Sequence, residues 1–132
     1  MNVALLAHDN KKGLMENLCV AYRGILSKHQ LFATMTTGLL VEDAINVPVR
    51  KYLAGHLGGV QQLGAQIELN DIDLVIFLRD PLHQKNYEPD IQTVQRLCDV
   101  HNIPVASNLA TAEALLIALD RGDLDWRNIV VR

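Results

Sequence analysis

Five consecutive apolar residues, Leu74–Leu78, sit between Asp73 and Arg79. The run is short, rich in β-branched and aromatic side chains, and has no polar alternate position. A strand covered on both faces fits it, and such strands belong to parallel sheets with helices on either side. The segments "NVALLA" at Asn2–Ala7, "QLFAT" at Gln30–Thr34 and "IPVAS" at residues 103–107 also read as strands. Between them lie stretches with helical spacing. Residues 11–27 carry Leu14, Leu18, Ala21, Tyr22, Ile25 and Leu26, and residues 60–70 carry Val60, Leu63, Gly64 and Ile67. Residues 90–101 carry Ile91, Val94, Leu97 and Cys98.

Further helices are expected over 39–46, after a turn at "MTTG" and before Pro48, and over 111–119. Residues 47–55 are ambiguous and include a short extended piece, 79–89 form a loop, and 128–132 ("NIVVR") read as a last strand. Alternating strand and helix predicts an α/β fold, a three-layer sandwich around a mainly parallel sheet with right-handed crossovers. At 132 residues the chain is expected to form one domain, residues 1–132.

With 49% apolar and 20% charged residues, the composition is that of a soluble globular protein. A net charge of −3 provides no basic excess for nucleic acid. No apolar run approaches the roughly 20 residues of a membrane span. The start "MNVALLAHDN" has no basic region and no small-residue cleavage site, so the protein is expected to be cytoplasmic, without a signal peptide. Cys19 and Cys98 lack any metal-type CxxC partner and read as buried thiols in a reducing compartment.

Ligands of such sheets bind at the carboxyl ends of the strands. That edge receives His8, Asp9 and Asn10 with Lys11 and Lys12. It also receives Thr34, Thr36, Thr37 and Gly38, then Arg79 and Asp80, then Ser107, Asn108 and Thr111. In "TMTTG", hydroxyls and backbone N–H groups at a helix start make a seat for an anion, although an ordinary threonine cap gives the same letters. Two lysines at a helix N-terminus oppose the dipole and point to a use other than helix stability. His8 beside Asp9 can polarise a carbonyl or relay a proton; the alternative is a strand-end histidine with Asp9 capping the next helix. Asp80 is either a base, a sugar-hydroxyl acceptor or a turn former before Pro81. Asp90 looks first like a helix cap, and His56, His83 and His101 read as surface residues. No P-loop, dinucleotide fingerprint or metal spacing is present, so no cofactor and no metal are expected. A Gly58-Gly59 step precedes a helix as at many ligand sites, yet the residue after it is Val60, which can be neither acid nor base.

The segments "ALLAHDNKK", "ATMTTG", "GGVQQLGAQI", "VIFLRDPL", "EPD" and "IPVASNLATAEAL", in this order over nearly the whole chain, resemble the methylglyoxal synthase family. The resemblance implies a small α/β fold and a cytosolic homohexamer. It implies elimination of phosphate from dihydroxyacetone phosphate, giving methylglyoxal and phosphate, with no metal or organic cofactor. It places the substrate-binding histidine on His8 and the phosphate-binding lysine on Lys12. The family's "TGTTG" loop falls on Thr34 to Gly38, with Met35 where a glycine stands. Its "SGP" falls on Ala54, Gly55 and His56, and its "PHEPD" histidine on Tyr87. The aspartates of "DPL" and "PD" are Asp80 and Asp90, while the base of "GGDQQ" falls on Val60.

The expectation is therefore a protein that binds dihydroxyacetone phosphate, phosphate or a similar small phosphorylated anion. His8, Lys12, Thr34, Thr36, Thr37, Gly55 and Tyr87 would hold the ligand, with catalysis lost or weak because valine cannot abstract a proton. The alternative is an active lyase in which Asp80, Asp90 or Asp9 is the base.

Overall fold

Residues 1–130 are described in the computed structural model, and strand alternates with helix along them. β1 (Asn2–Ala7) leads through a 3-10 turn (Asp9–Lys11) into α1 (Lys12–Ala21) and α2 (Arg23–Leu26). β2 (Gln30–Thr34), α3 (Met35–Ile45) and β3 (Val49–Tyr52) follow. A second 3-10 turn (Gly55–Leu57) opens onto α4 (Gly59–Glu68), β4 (Leu74–Leu78) and α5 (Ile91–His101). β5 (Val105–Ala106), α6 (Leu109–Asp120) and α7 (Trp126–Val130) complete the order.

The strands form one sheet in the order β3-β2-β1-β4-β5, and each pairing is parallel. The chain builds outward from β1 to β3, then crosses back to place β4 on the other side of β1. Neighbouring connections therefore diverge between β1 and β4, and a crevice opens at the carboxyl ends there.

Successive strand residues point to opposite faces, and both faces are dry. Val3, Leu5, Leu74 and Ile76 pack with Met15 and Leu18 of α1, Val41 of α3 and Leu116 of α6. Ala4, Leu6, Val75 and Phe77 pack with Leu63 and Ile67 of α4 and Val94 of α5. This is the expected three-layer sandwich. Cys19 belongs to the first core and Cys98 to the second, so the sheet separates them. Both are free buried thiols, and burial pushes each up to about 12. Among the described residues no helix is long and apolar enough to cross a membrane.

Four local expectations are corrected. The helix expected over 11–27 divides at Tyr22, where φ −109° and ψ 23° leave helical geometry. Arg23 there donates from Nε to the Ile45 carbonyl at 2.6 Å, which ties the step to the end of α3. "MTTG" is not a separate turn but the first turn of α3, with Thr34 as its N-cap. Helix α6 starts two residues before Thr111, because Asn108 caps it by accepting from the Thr111 N–H at 3.0 Å. Residues 126–130 are helical, so the expected last strand is overturned up to Val130; residues 131–132 lie outside the described residues.

One buried side chain fastens that last helix to the core. Arg127 is fully buried and donates from Nε to Asp73 Oδ1 at 3.1 Å. Its other nitrogens reach the Asn102 carbonyl at 2.8 Å, Asn70 Oδ1 at 2.6 Å and the Ile72 carbonyl at 3.3 Å. One guanidinium thus clamps the end of α5 to the loop that leads into β4. Its five N–H donors suit that job, since a buried charge must be paired and hydrogen-bonded.

Candidate active site

The residues that leave β1, β2 and β3 meet the loop after β4 around a cavity of about 420 Å3. Leu6, Ala7 and Phe77 give it an apolar floor, and Asp9, Lys12, Thr34 and Thr36 supply polar groups. Gly55, His56, Tyr87 and Glu88 close the remaining sides.

Lys12 opens α1 and turns back over the end of β1. Its Nζ lies 2.8 Å from Asp9 Oδ1 and 3.2 Å from the Ala7 carbonyl. Thr34 caps α3 by backbone geometry alone, with no side-chain capping bond. The first amides of α3 and the Thr34 hydroxyl are therefore not spent on each other, and the helix end has donors for an anion. Thr36 is exposed on the same cavity. Thr37 points elsewhere: it is fully buried, does not line the cavity, and its Oγ1 is the one buried side-chain polar atom with no hydrogen-bond partner among the described residues. Met35 is 37% exposed and is not among the non-glycine residues with positive φ. A glycine is not required at that position, so methionine leaves the turn intact.

Asp9 carries the site's most crowded carboxylate. Besides Lys12, it accepts from Tyr87 Oη and from Lys85 Nζ, the latter at 3.3 Å. The hydrogen bond from Lys12, then that from Tyr87, holds the Asp9 carboxyl well below the usual carboxylate range. Glu88 is buried beside it and accepts from the backbone N–H of Asp9 at 2.5 Å and of Lys85 at 2.7 Å. These bonds pin the loop after β4 to the end of β1.

The other candidates, His8, Asp80 and Asp90, are not among the residues that line the cavity. His8 is 2% exposed and does not line it. Its Nδ1 accepts from the Asp80 N–H at 2.8 Å and its Nε2 faces the Pro89 carbonyl at 2.8 Å. A ring that accepts at Nδ1 and donates at Nε2 is a neutral imidazole with both nitrogens committed. The ring also meets Phe77 edge to face at 5.3 Å. In this geometry His8 braces the loop after β4 from behind the cavity wall, against Phe77 and Pro89, which line it. Asp80 is likewise outside, accepting from Asn10 Nδ2 at 2.8 Å and from the amides of Leu82 and His83. The Asn10 bond and then the His83 amide lower its carboxyl to about 2. Asp90 caps α5 through the Gln92 N–H at 3.1 Å and lines a neighbouring cavity with Val60. Among the described residues no three His, Cys, Asp or Glu side chains are grouped to hold a metal.

Three residues near the cavity escaped the sequence: His56, Lys85 and Glu88. Glu88 had a weak signal, being an acid between Tyr87 and Pro89 that no helix pattern needs. His56 had been assigned to the surface without a partner. It is exposed, yet it lines the cavity and meets Tyr87 edge to face at 5.8 Å. Lys85 gave none, since a loop lysine reaches Asp9 only through the fold.

The MGS-like domain family matches residues 15–107. The chain is 59% identical to a methylglyoxal synthase of Caldicellulosiruptor saccharolyticus over 130 residues, 98% of this chain and 92% of that one. It is 58% identical to a methylglyoxal synthase of Alkaliphilus metalliredigens, over 98% of this chain and 97% of that one. A crystal structure of methylglyoxal synthase from Elizabethkingia anophelis superposes with a TM-score of 0.84 at 43% identity, covering 87% of this chain and 76% of the other. These relatives overturn the expectation of an anion-binding protein with lost or weak catalysis. The physical ground for it also weakens, because Val60 is not on the cavity that holds Lys12, and that cavity has carboxylates of its own.

Proposed function

The chain belongs to the methylglyoxal synthase family, and from that premise we propose that it is an active carbon–oxygen lyase. Its substrate is dihydroxyacetone phosphate and its products are methylglyoxal and inorganic phosphate. The observation that carries the reading is the cavity in which Lys12, Thr34 and Thr36 face Asp9.

In this scheme the phosphate rests on Lys12 Nζ, the two threonine hydroxyls and the first amides of α3, with Gly55 leaving room at the side. Asp9 removes a proton from the hydroxymethyl carbon. The freed electron pair forms an enediolate, the bond between carbon and phosphate oxygen breaks, and phosphate leaves with its pair. The hydroxyl proton passes to the departing phosphate, and the remaining enolate takes the proton back from Asp9 at its terminal carbon and becomes methylglyoxal. Asp9 is preferred over Asp80 and Asp90 because it alone of the three lines this cavity. Phosphate and carboxylate compete for one ammonium: as Lys12 turns to the substrate, Asp9 loses its strongest partner and regains basicity. Tyr87 then donates to whichever oxygen carries the developing charge. No metal or organic cofactor enters the scheme.

By the same family premise the chain works as one domain, residues 1–132, within a cytosolic homohexamer. Its match to relatives over nearly their whole length supports the single domain. Sedimentation velocity tests the assembly. The reaction is tested by incubating the protein with dihydroxyacetone phosphate and measuring methylglyoxal and phosphate together. Equal release of both is expected, and absence of methylglyoxal overturns the proposal.

A further inference from the structure

The proposed elimination moves two protons. Asp9 takes the first from the hydroxymethyl carbon, and the second passes from the substrate hydroxyl to the departing phosphate. A carrier for the second must accept one proton and give another near neutral pH. Lys12 and the threonine hydroxyls are occupied with the phosphate. Glu88 is no carrier, since its Oε2 accepts from the Asp9 amide and its Oε1 from the Lys85 amide. Tyr87 donates to Asp9, and that bond raises its hydroxyl above the ordinary phenol range. His8 has both ring nitrogens engaged, by the Asp80 amide and the Pro89 carbonyl. His56 remains. Its imidazole is the one that lines the cavity, and among the described residues neither of its ring nitrogens has a hydrogen-bond partner.

The backbone sets where His56 stands. The Ala54 carbonyl accepts from the Leu57 N–H at 2.9 Å and from the Gly59 N–H at 3.0 Å, which closes the 3-10 turn that carries the histidine. On its other side the ring meets Tyr87 edge to face at 5.8 Å, and Tyr87 Oη reaches Asp9 Oδ2. The imidazole is thus one aromatic ring away from the carboxylate that takes the first proton. It is exposed, so it also exchanges protons with solvent. We propose that His56 is a catalytic residue of the elimination, the carrier that takes the substrate's hydroxyl proton and protonates the leaving phosphate. This rests on the reaction proposed above. One nitrogen of the neutral ring accepts the hydroxyl proton, and the N–H of the other nitrogen donates to the oxygen that bridges carbon and phosphorus. The hydroxyl oxygen becomes the aldehyde oxygen, and the double bond moves one carbon along. The carbon–oxygen bond breaks, and phosphate leaves with that electron pair and the proton. The ring is left neutral as its other tautomer.

The test separates the two protons. Dihydroxyacetone phosphate is incubated with the protein in deuterated water. Nuclear magnetic resonance reads deuterium entering the hydroxymethyl carbon of unreacted substrate, and phosphate release is read in parallel. Exchange reports the first proton transfer, and release reports the whole elimination. His56→Gln keeps a polar side chain that cannot relay a proton. It should lower kcat for release by about 10²-fold, the lower end for an acid–base group, with KM little changed. The ratio of exchange to release should rise at least about tenfold, because the enediolate returns to substrate when phosphate cannot leave. Circular dichroism and calorimetry with inorganic phosphate check that the variant folds and keeps its anion seat. Should it not fold, His56→Ala takes its place, and about 50 mM free imidazole should restore at least about tenfold of its lost kcat, which a purely structural role would not allow. Release at the wild-type rate from a folded variant overturns the inference and leaves the reaction standing. Exchange and release that fall together overturn it too, since His56 would then act before the second proton moves. A wild-type protein that forms no methylglyoxal sinks the reaction and the carrier with it.

Discussion

Asp9 accepts from three donors. Lys12, Tyr87 and Lys85 keep its carboxyl ionised and weakly basic, and in the proposed scheme an anion draws Lys12 away. Asp9→Asn preserves the shape and cannot accept the proton. It should lower kcat by about 10²–10⁴ with KM little changed. Lys12→Met should instead act through both constants and cost about 10–100-fold in kcat/KM, the worth of a hydrogen bond to a charged group. Steady-state rates of methylglyoxal release check both, and an Asp9→Asn enzyme with wild-type kcat removes Asp9 from the proton transfer. Asp80 has a different residue-scale role. Its carboxyl falls on folding from 3.8 to about 2, so the folded state binds that proton less well. The stability it contributes is complete above the unfolded value and is lost as pH falls towards the folded one. Asp80→Asn should therefore be less stable than wild type above about pH 4, and the gap should close towards pH 2. Denaturant melts at several pH values show this, and a gap independent of pH would refute it. The chemistry of both aspartates was readable as letters after strands, but which one faces the cavity was not, because adjacent side chains leave a strand end in different directions.

At the scale of elements, the Gly-Gly step before α4 is a packing device. Gly58 has φ +107°, a backbone angle that favours glycine. A Cβ on Gly59 would lie 2.0 Å from the Leu53 carbonyl oxygen, so α4 can begin so close to the end of β3 only without one. Gln62 fastens the same junction by accepting from the Leu53 N–H at 2.7 Å. Gly59→Ala should destabilise by about 3 kcal/mol, the upper part of the overpacking range. That corresponds to a fall of about 10 °C in Tm, read by calorimetry; a neutral outcome would mean the junction opens freely. The Gly-Gly step was legible as the approach to a helix of the kind found at ligand sites, but its packing against Leu53 depends on where β3 ends. The start of α3 was misplaced for a related reason. Thr-Thr-Gly reads locally as a turn, yet Gly38 lets the helix approach β3, where a Cβ would come within 2.8 Å of Lys51 Cγ. Tertiary contact overrides the weak local propensity.

Across the whole molecule, the parallel sheet makes the site and Arg127 closes the opposite side. The order β3-β2-β1-β4-β5 brings Asp9, Thr36, His56 and Tyr87, distant in sequence, to one cavity. Arg127 ties Asp73, which also accepts from the Asn2 N–H at 2.8 Å, to the end of α5. Arg127→Met removes the guanidinium from a buried carboxylate and should cost about 3–5 kcal/mol. Pairing it with Asp73→Leu should recover part of that loss, since replacing both partners by apolar groups avoids an uncompensated buried charge. Chemical denaturation of the two variants checks this, and equal loss in both would place the cost in packing alone.

The sequence by itself determined the parallel sandwich and the strand-end edge from which Asp9, Lys12, Thr34 and Thr36 line the cavity. Apolar periodicity reports burial directly, and strand ends in such a fold have one fate. Only the tertiary structure decided that His8 is spent on Asp80 and Pro89, that Asp9 rather than Asp80 or Asp90 meets Lys12, and that Val60 lines a neighbouring cavity with Asp90. It also decided that the final segment is a helix held by a buried arginine. Those outcomes depend on side-chain direction and on partners up to 81 residues away, as His8 and Pro89 are, and local pattern does not encode either.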